Sequence, residues 1–453
     1  MPGNLAKLGT IKGVLMQQSR RGFFKTTIGL VGAALTGPAM AKTADLIPGA
    51  TTDQTQTLQS AIDAARDEGR LFIPAGRYRI SGLRVPSSFL LEGVPGATWL
   101  EHVGVGPLLG AEDGHDISLW GLGLDGSGAG GDVWHGGLVH FADCHNVTLR
   151  DCAVRNTKLN GITFINSSGR IEGCRVSEAG QTGIFSLDAA GLALTGNTVT
   201  DCGNGGIRVW RSASGADGTL ISGNRIASVD WTDGGNGQNG NGINVFQADE
   251  VIVSGNHLSD CAFSAIRLNA TNNTQINGNT CINSGEVAIY SEFAFSGSVI
   301  TGNVIDGAAA GISITNFNEG GRLAACTGNI VRNVHGPSAV NPDLQIAYGI
   351  AAEADTVVAS NVIEAVSGTG ITAGWGPYLR DVTIAGNLIR DIETGIVVSV
   401  APGAGAAAIS GNTISGARGA ALSGHAWHEV VAPDLAAKAG DFPQLAIGDN
   451  LLL

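Results

Sequence analysis

The 453-residue sequence predicts an all-β fold, a single-stranded right-handed parallel β-helix whose coils are about 23 residues long, with a capping helix at its N-terminal end. Three observations carry this. From Val251 to Ile314 one unit is written three times: alternating apolar residues, a Gly-Asn pair, a polar gap, then Ala-Ile or Gly-Ile opening a second alternating run. The Asn of the pair falls at Asn256, Asn279 and Asn303, and the Ile at Ile266, Ile289 and Ile312, so the spacing is 23 or 24 residues. Period-2 alternation marks half-buried strands, and a fixed period in the twenties marks a solenoid. Second, the chain holds 69 glycines, an excess that suits many short strands joined by tight corners. Third, the hairpin spacing of a sandwich and the ~40-residue period of a propeller are both missing.

The first 41 residues stand apart. They hold Lys7, Lys12, Arg20, Arg21 and Lys25 and no acid, although the whole chain carries a formal charge of −13. Ser19-Arg20-Arg21-Gly22-Phe23-Phe24-Lys25 precedes an apolar run from Ile28 to Leu35 and then Pro38-Ala39-Met40-Ala41. This resembles a bacterial twin-arginine export signal, with cleavage after Ala41. The resemblance implies passage through the twin-arginine translocase in a folded state, and a periplasmic or secreted product. The apolar run is too short to remain as a membrane anchor. All the acid lies in the body, which argues against nucleic acid as a partner.

Residues 42–54 read as a linker. Thr55 to Glu68 reads as an amphipathic helix with Leu58, Ile62 and Ala65 on one face, capped at its start by Thr52 or Asp53 and stopped by Gly69. The stretches "IPAGRYRI" and "GLRVPSSFLLEG" follow. A helix leading into such strands resembles the opening of the pectin-lyase-like proteins, whose helix plugs the first coil of a right-handed parallel β-helix. Residues 117–164, with ISLWGLGLDGSG, Trp134 and CHNVTLRDCAVRN, are similar to the early coils of polygalacturonase-type members. The arginine pair with the repeat resembles a family of twin-arginine-translocated β-helix repeat proteins of uncharacterised function. The polygalacturonase, alginate-epimerase and calcium-binding pectate-lyase motifs are absent, so the resemblance implies a fold and supplies no activity.

The helix body is expected over 55–423. Its turn pair recurs from Gly173-Cys174 and Gly196-Asn197 to Gly386-Asn387 and Gly411-Asn412, and the second strand opens at Gly161, Gly183, Gly206 and onward to Gly395. Asn is expected to take the left-handed backbone of the corner, with Gly relieving the crowding beside it. Stacked about 4.8 Å apart, the amides would form a ladder. Two gaps are stretched, from Asn224 to Gly242 and from Asn329 to Gly349. The seven cysteines lack a Cys-x-x-Cys and are expected as buried thiols. Residues 424–453 break the pattern and read as a C-terminal cap, including His425-Ala-Trp-His428.

Register arithmetic then says which residues share an outer face. Two and four positions after each strand opening come Arg208, Asn244, Arg267 and Tyr290, then Trp210, Phe246, Asn269, Glu292 and Glu353; Arg211 and Trp375 lie at strand ends. Aromatic rings among hydrogen-bonding groups suit sugars, which have an apolar face and a polar edge. Arg267, Tyr290 and Glu292 are the catalytic candidates. Arg208, Trp210, Arg211, Asn244, Phe246, Asn269, Glu353 and Trp375 are the substrate-binding candidates. The partner expected is therefore a polysaccharide or oligosaccharide. A lyase or epimerase of uronic-acid polymers needs a cation and a base, drawn from Arg208, Arg267 and Tyr290. A glycoside hydrolase needs two carboxylates, for which Glu292 and Glu353 are two coils apart. The alternative is a non-catalytic carbohydrate-binding or envelope-structural repeat protein. A calcium site in the 230–241 loop, which offers Asp230, Asp233 and Asn239, is a further possibility without the acidic spacing of known loops; no other metal site is expected.

Overall fold

The computed structural model describes residues 42–131, 133–235 and 237–453; the export signal expected over 1–41 lies outside them. Each coil contributes strands to three parallel faces. The first is a 16-stranded sheet built from segments such as Ala193–Thr195, Leu220–Ser222 and Ile252–Ser254. The other two belong to one 26-stranded sheet, because strands such as Thr280–Glu292 run round the corner between them without a break. Face two holds Thr198–Cys202, Arg225–Val229 and His257–Cys261. Face three holds Thr182–Leu187, Gly205–Ala216, Asn241–Asp249 and Ile266–Asn269. Pairing is parallel from coil to coil, as in Asn244↔Arg267 and Arg267↔Tyr290.

Alternation fixes what points inward. Ile207, Val209, Ile243, Val245, Ile266, Leu268, Ile312 and Ile314 are all buried and stack along the axis as one continuous core. All seven cysteines are buried free thiols, and burial pushes Cys202 and Cys261 up to about 12, which makes them packing groups and not nucleophiles.

The corner between faces one and two is a hydrogen-bonded ladder of asparagines. Asn256 donates its backbone N–H and its Nδ2 to Oδ1 of Asn279, at 3.0 Å each, and Nδ2 donates again to the Ile221 carbonyl at 3.0 Å. The same pattern runs from Asn197 to Asn412 and ends on Asn450. The left-handed backbone expected of these asparagines belongs instead to the glycine before each, as at Gly255 (φ +63°) and Gly302 (φ +64°). A buried Asn that must aim both ends of its amide along the axis needs ordinary backbone geometry, so the preceding residue makes the turn. Ser360 and Asp449, before Asn361 and Asn450, carry side chains there instead, at φ +57° and +52°. A Cβ at Gly255 would meet nothing within 4 Å, so Gly255→Ala tests backbone strain alone. A loss of about 1 kcal/mol in chemical denaturation is expected.

Both ends are closed. The helix Thr55–Ala64 buries Leu58 and Ile62 against the first coil, with Ala65 just past its end also buried. Its start is held by Asp53, whose Oδ1 accepts the Thr55 N–H at 2.9 Å. Residues 42–54, expected as a linker, begin inside the fold: Lys42–Thr43 pairs in parallel with Leu71 and Phe72. At the far end Leu445–Gly448 and Leu451–Leu452 still extend faces one and two. Glu429–Ala432 turns back antiparallel on Leu422–Ala426 and pairs with the last edge of face three.

Candidate active site

Face three carries most of the site residues expected from the sequence, with Glu353 and Trp375 just past the ends of its strands, and register orders them. One outward column runs Asn244, Arg267, Tyr290, Ser313, Ala351, Thr372, Val397 and Ser423. A second, two residues further along each strand, includes Phe246, Asn269 and Glu292. The structure sorts these residues into three groups.

The first group is aromatic. Trp134, Phe185, Trp210 and Phe246 follow one another with ring centroids 5.7, 5.6 and 6.0 Å apart. Trp210 donates its indole N–H to Oδ1 of Asn244 at 2.6 Å. Arg211 reaches the Ala189 carbonyl at 3.3 Å and approaches buried Asp217 to 4.0 Å.

The second group is ionic and buried. Arg267 makes a two-pronged pair with Glu292, Nε to Oε1 and Nη2 to Oε2 at 2.7 Å each, and Nη1 donates to Glu286 at 2.9 Å. Asn269 donates to the same Glu292 at 2.9 Å. Burial works against the Arg267 charge, but the bonds from Glu292 outweigh it and hold the guanidinium above its ordinary pKa. Arg267 and Glu292, expected as catalytic groups, therefore spend their charges on each other. Arg267→Ala would leave two buried carboxylates unpaired and should cost roughly 3–5 kcal/mol in denaturant titration. Arg208 is spent likewise: Nη2 donates to the Asn204 and Gln238 carbonyls and to Asn239 Oδ1 at 2.8, 2.9 and 2.6 Å. It pins the first stretched loop to the coils, and burial lowers its pKa to about 10. The loop's oxygens are engaged as well, since Asp233 accepts from Gln181 at 2.8 Å and Asn239 from Arg208. Among the described residues no group of three or more His, Cys, Asp or Glu is placed to hold a metal ion.

The third group lines a cavity of about 550 Å³, a size that suits a small-molecule or sugar ligand. Tyr290, Glu353 and Trp375 meet here, with Tyr348, Asp343, His425, Trp427 and His428. Trp375 packs edge-on against Trp427 at 5.6 Å and against His428 at 4.6 Å. Glu353 is 8% exposed and accepts the Phe317 N–H at 2.7 Å. Burial raises its carboxyl to about 7, against the pull of the Phe317 and Asn316 N–H groups. Burial also raises Tyr290, to about 12, aided by the Glu292 charge. Burial lowers His425, and the neighbouring His428 adds to the effect. The pocket thus presents a carboxyl group able to hold its proton near neutrality between aromatic walls. A hollow of about 960 Å³ at the corner of faces two and three is lined by residues such as Asp201, Asp230 and Asp260.

Sequence reasoning did not assign Tyr348, Glu286, His425, Trp427 or His428 to a site. Tyr348 lies directly before the strand opening at Gly349, where register alone places it at the corner. His425 pairs in register with Ser399, but the sequence pattern stops at residue 423, which leaves it with Trp427 and His428 as part of the cap.

Residues 129–226 match the family described as right handed beta helix region. Several solved structures are similar to the chain over most of its length. The N-terminal fragment of bacteriophage phi29 gene product 12 is 17% identical, with 84% of this chain and 69% of that chain covered and a TM-score of 0.53. A surface adhesin of Streptococcus pneumoniae is 14% identical, covering 84% and 93%, with a TM-score of 0.48. The A-module of an Azotobacter vinelandii mannuronan C-5 epimerase is 16% identical, covering 84% and 96%, with a TM-score of 0.45. With its parallel coils, asparagine ladder and capping helix, the chain has the right-handed parallel β-helix fold.

Proposed function

We propose that this chain is an exported polysaccharide-acting enzyme whose chemistry is centred on Glu353, and that its reaction is hydrolysis of a glycosidic bond in a neutral glycan. The observation that carries the reading is a buried carboxyl group, held near pKa 7, opening into an aromatic-lined cavity. A general acid works best when its pKa lies close to the working pH. Glu353 would give its proton to the glycosidic oxygen as the C1–O bond breaks. Water would then add to C1 and pass its proton to Asp343, the other carboxylate lining the pocket.

Lyase or epimerase chemistry on a uronic-acid polymer calls for a cation to neutralise the substrate carboxylate. Arg208 and Arg267 are both engaged with protein groups, and the cavity is lined by Glu353, Asp343, two tyrosines and two histidines. This favours an uncharged sugar. The binding-module reading draws on the strip from Trp134 to Phe246, in which Trp134 is exposed, Trp210 and Phe246 are half-buried and Phe185 is buried. Export through the twin-arginine pathway, with cleavage after Ala41, would deliver the protein to the periplasm or beyond.

The test is incubation of the mature protein with neutral glycans and polyuronates. New reducing ends without ultraviolet-absorbing products support hydrolysis. Unsaturated products from a polyuronate would replace it with elimination, and retention on a glycan without turnover would replace it with binding.

A further inference from the structure

We propose that Glu286 and Asn341 are positioning residues that latch the second stretched segment, residues 335–347, so that it forms one wall of the Glu353 pocket. The cluster holds more charge than its own coil needs. Arg267 is already matched by Glu292 through two bonds, yet Glu286, 1% exposed, brings a second carboxylate to the same guanidinium. A surplus buried anion is costly unless other donors satisfy it. Ser264 supplies one, at 3.2 Å to Oε2. The other comes from 55 residues downstream, where Nδ2 of Asn341 donates to Oε1 at 2.7 Å. A second contact lies beside it: buried Ser338 donates from Oγ to the Gly285 carbonyl at 2.7 Å.

Both contacts reach the same turn of the Thr280–Glu292 strand from the same segment. The segment closes on itself between them and the pocket, with the Ser338 N–H bonded to the Leu344 carbonyl at 2.9 Å and the Leu344 N–H to the Asn341 carbonyl at 3.1 Å. Its far side, from Asp343 to Ala347, lines the same cavity as Tyr290, Tyr348 and Glu353. Arg267 and Glu286 therefore act on the pocket through Asn341, and touch no ligand themselves. If the wall opens, water reaches Glu353 and the burial that raises its pKa is relieved.

The experiment compares Asn341→Ala with Glu286→Gln, which keeps an oxygen for the Asn341 amide. Two readouts are taken without substrate: hydrogen exchange of residues 338–347, and the change in unfolding temperature between about pH 4.5 and 7, the window in which Glu353 titrates differently in the folded and unfolded chain. Asn341→Ala is expected to speed exchange in 338–347 at least about tenfold while leaving Thr280–Glu292 protected. It is also expected to cut the pH-dependent shift by half or more, and Glu286→Gln to retain most of both properties. Unchanged exchange in Asn341→Ala overturns the latch. Faster exchange with an unaltered pH response overturns its role in positioning the pocket. The placement of the pocket rests on the proposed function, but neither readout needs turnover, so a protein that cleaves no glycan would sink that function and leave the latch to be judged separately.

Discussion

Glu353→Gln is expected to abolish turnover and at the same time make the protein more stable above pH 7. Losing a general acid costs roughly 10²- to 10⁴-fold in rate, and glutamine fills the same volume without a transferable proton. The gain in stability follows from the raised pKa. Between about 4.5, the ordinary value, and about 7, folded Glu353 holds a proton that the unfolded chain has released. Stability therefore falls as pH rises through that window and stays low above it, by roughly 3 kcal/mol at full effect. Removing the ionisable group removes the penalty. Wild type and Glu353→Gln should unfold alike near pH 4, and the variant should unfold at the higher denaturant concentration at pH 8. Activity in the wild type should decline above about pH 7, as the acid loses its proton. A variant that loses activity and gains no stability at pH 8 would place Glu353 in an ordinary solvated environment.

The largest loss of stability is expected at the middle of the asparagine ladder. Asn303→Ala deletes four hydrogen bonds: from Nδ2 to Ile276 and to Asn329, and from both the backbone N–H and the Nδ2 of Asn279 to its own Oδ1, at 2.9–3.0 Å. Asn303 and Asn279 are completely buried, so the Asn279 N–H is left without a partner where water does not reach. At about 1 kcal/mol per bond and a further 1–3 for a stranded donor, the loss should be roughly 5–7 kcal/mol in urea titration. The same change at Asn450, the last and half-buried rung, removes its bonds to Asn412 and Ile409 where water can replace them, and should cost no more than about 2 kcal/mol. Equal losses at the two positions would show that the ladder contributes little beyond its local corner.

These contrasts mark what the sequence could and could not disclose. Coil spacing and strand alternation need only periodicity, so the core at Ile266, Leu268, Ile312 and Ile314 and the shared face of Arg267, Tyr290, Glu292 and Glu353 were legible. The ladder was legible as a repeat, but its turn was placed on the wrong member of the Gly-Asn pair, because both residues tolerate left-handed backbone and only burial of the amide separates them. Charge cancellation was not legible. Arg267 and Glu292 fall on one face whether they face a ligand or each other, and the choice is made by Glu286, which stands just before its strand opening and outside the outward columns. Nor was the pocket, since Asn341 meets Glu286 across 55 residues and His425, Trp427 and His428 arrive from the aperiodic end. Segments without a period have no register to read.

The protonation state of Glu353 is the centre of the account, and infrared difference spectroscopy reads it without a substrate. The account expects a protonated carboxyl band in the wild type at pH 6 that disappears with a midpoint of about 7 and is missing from Glu353→Gln. A wild-type protein whose carboxyl groups have all ionised by about pH 5, the range of solvated aspartate and glutamate, would contradict it.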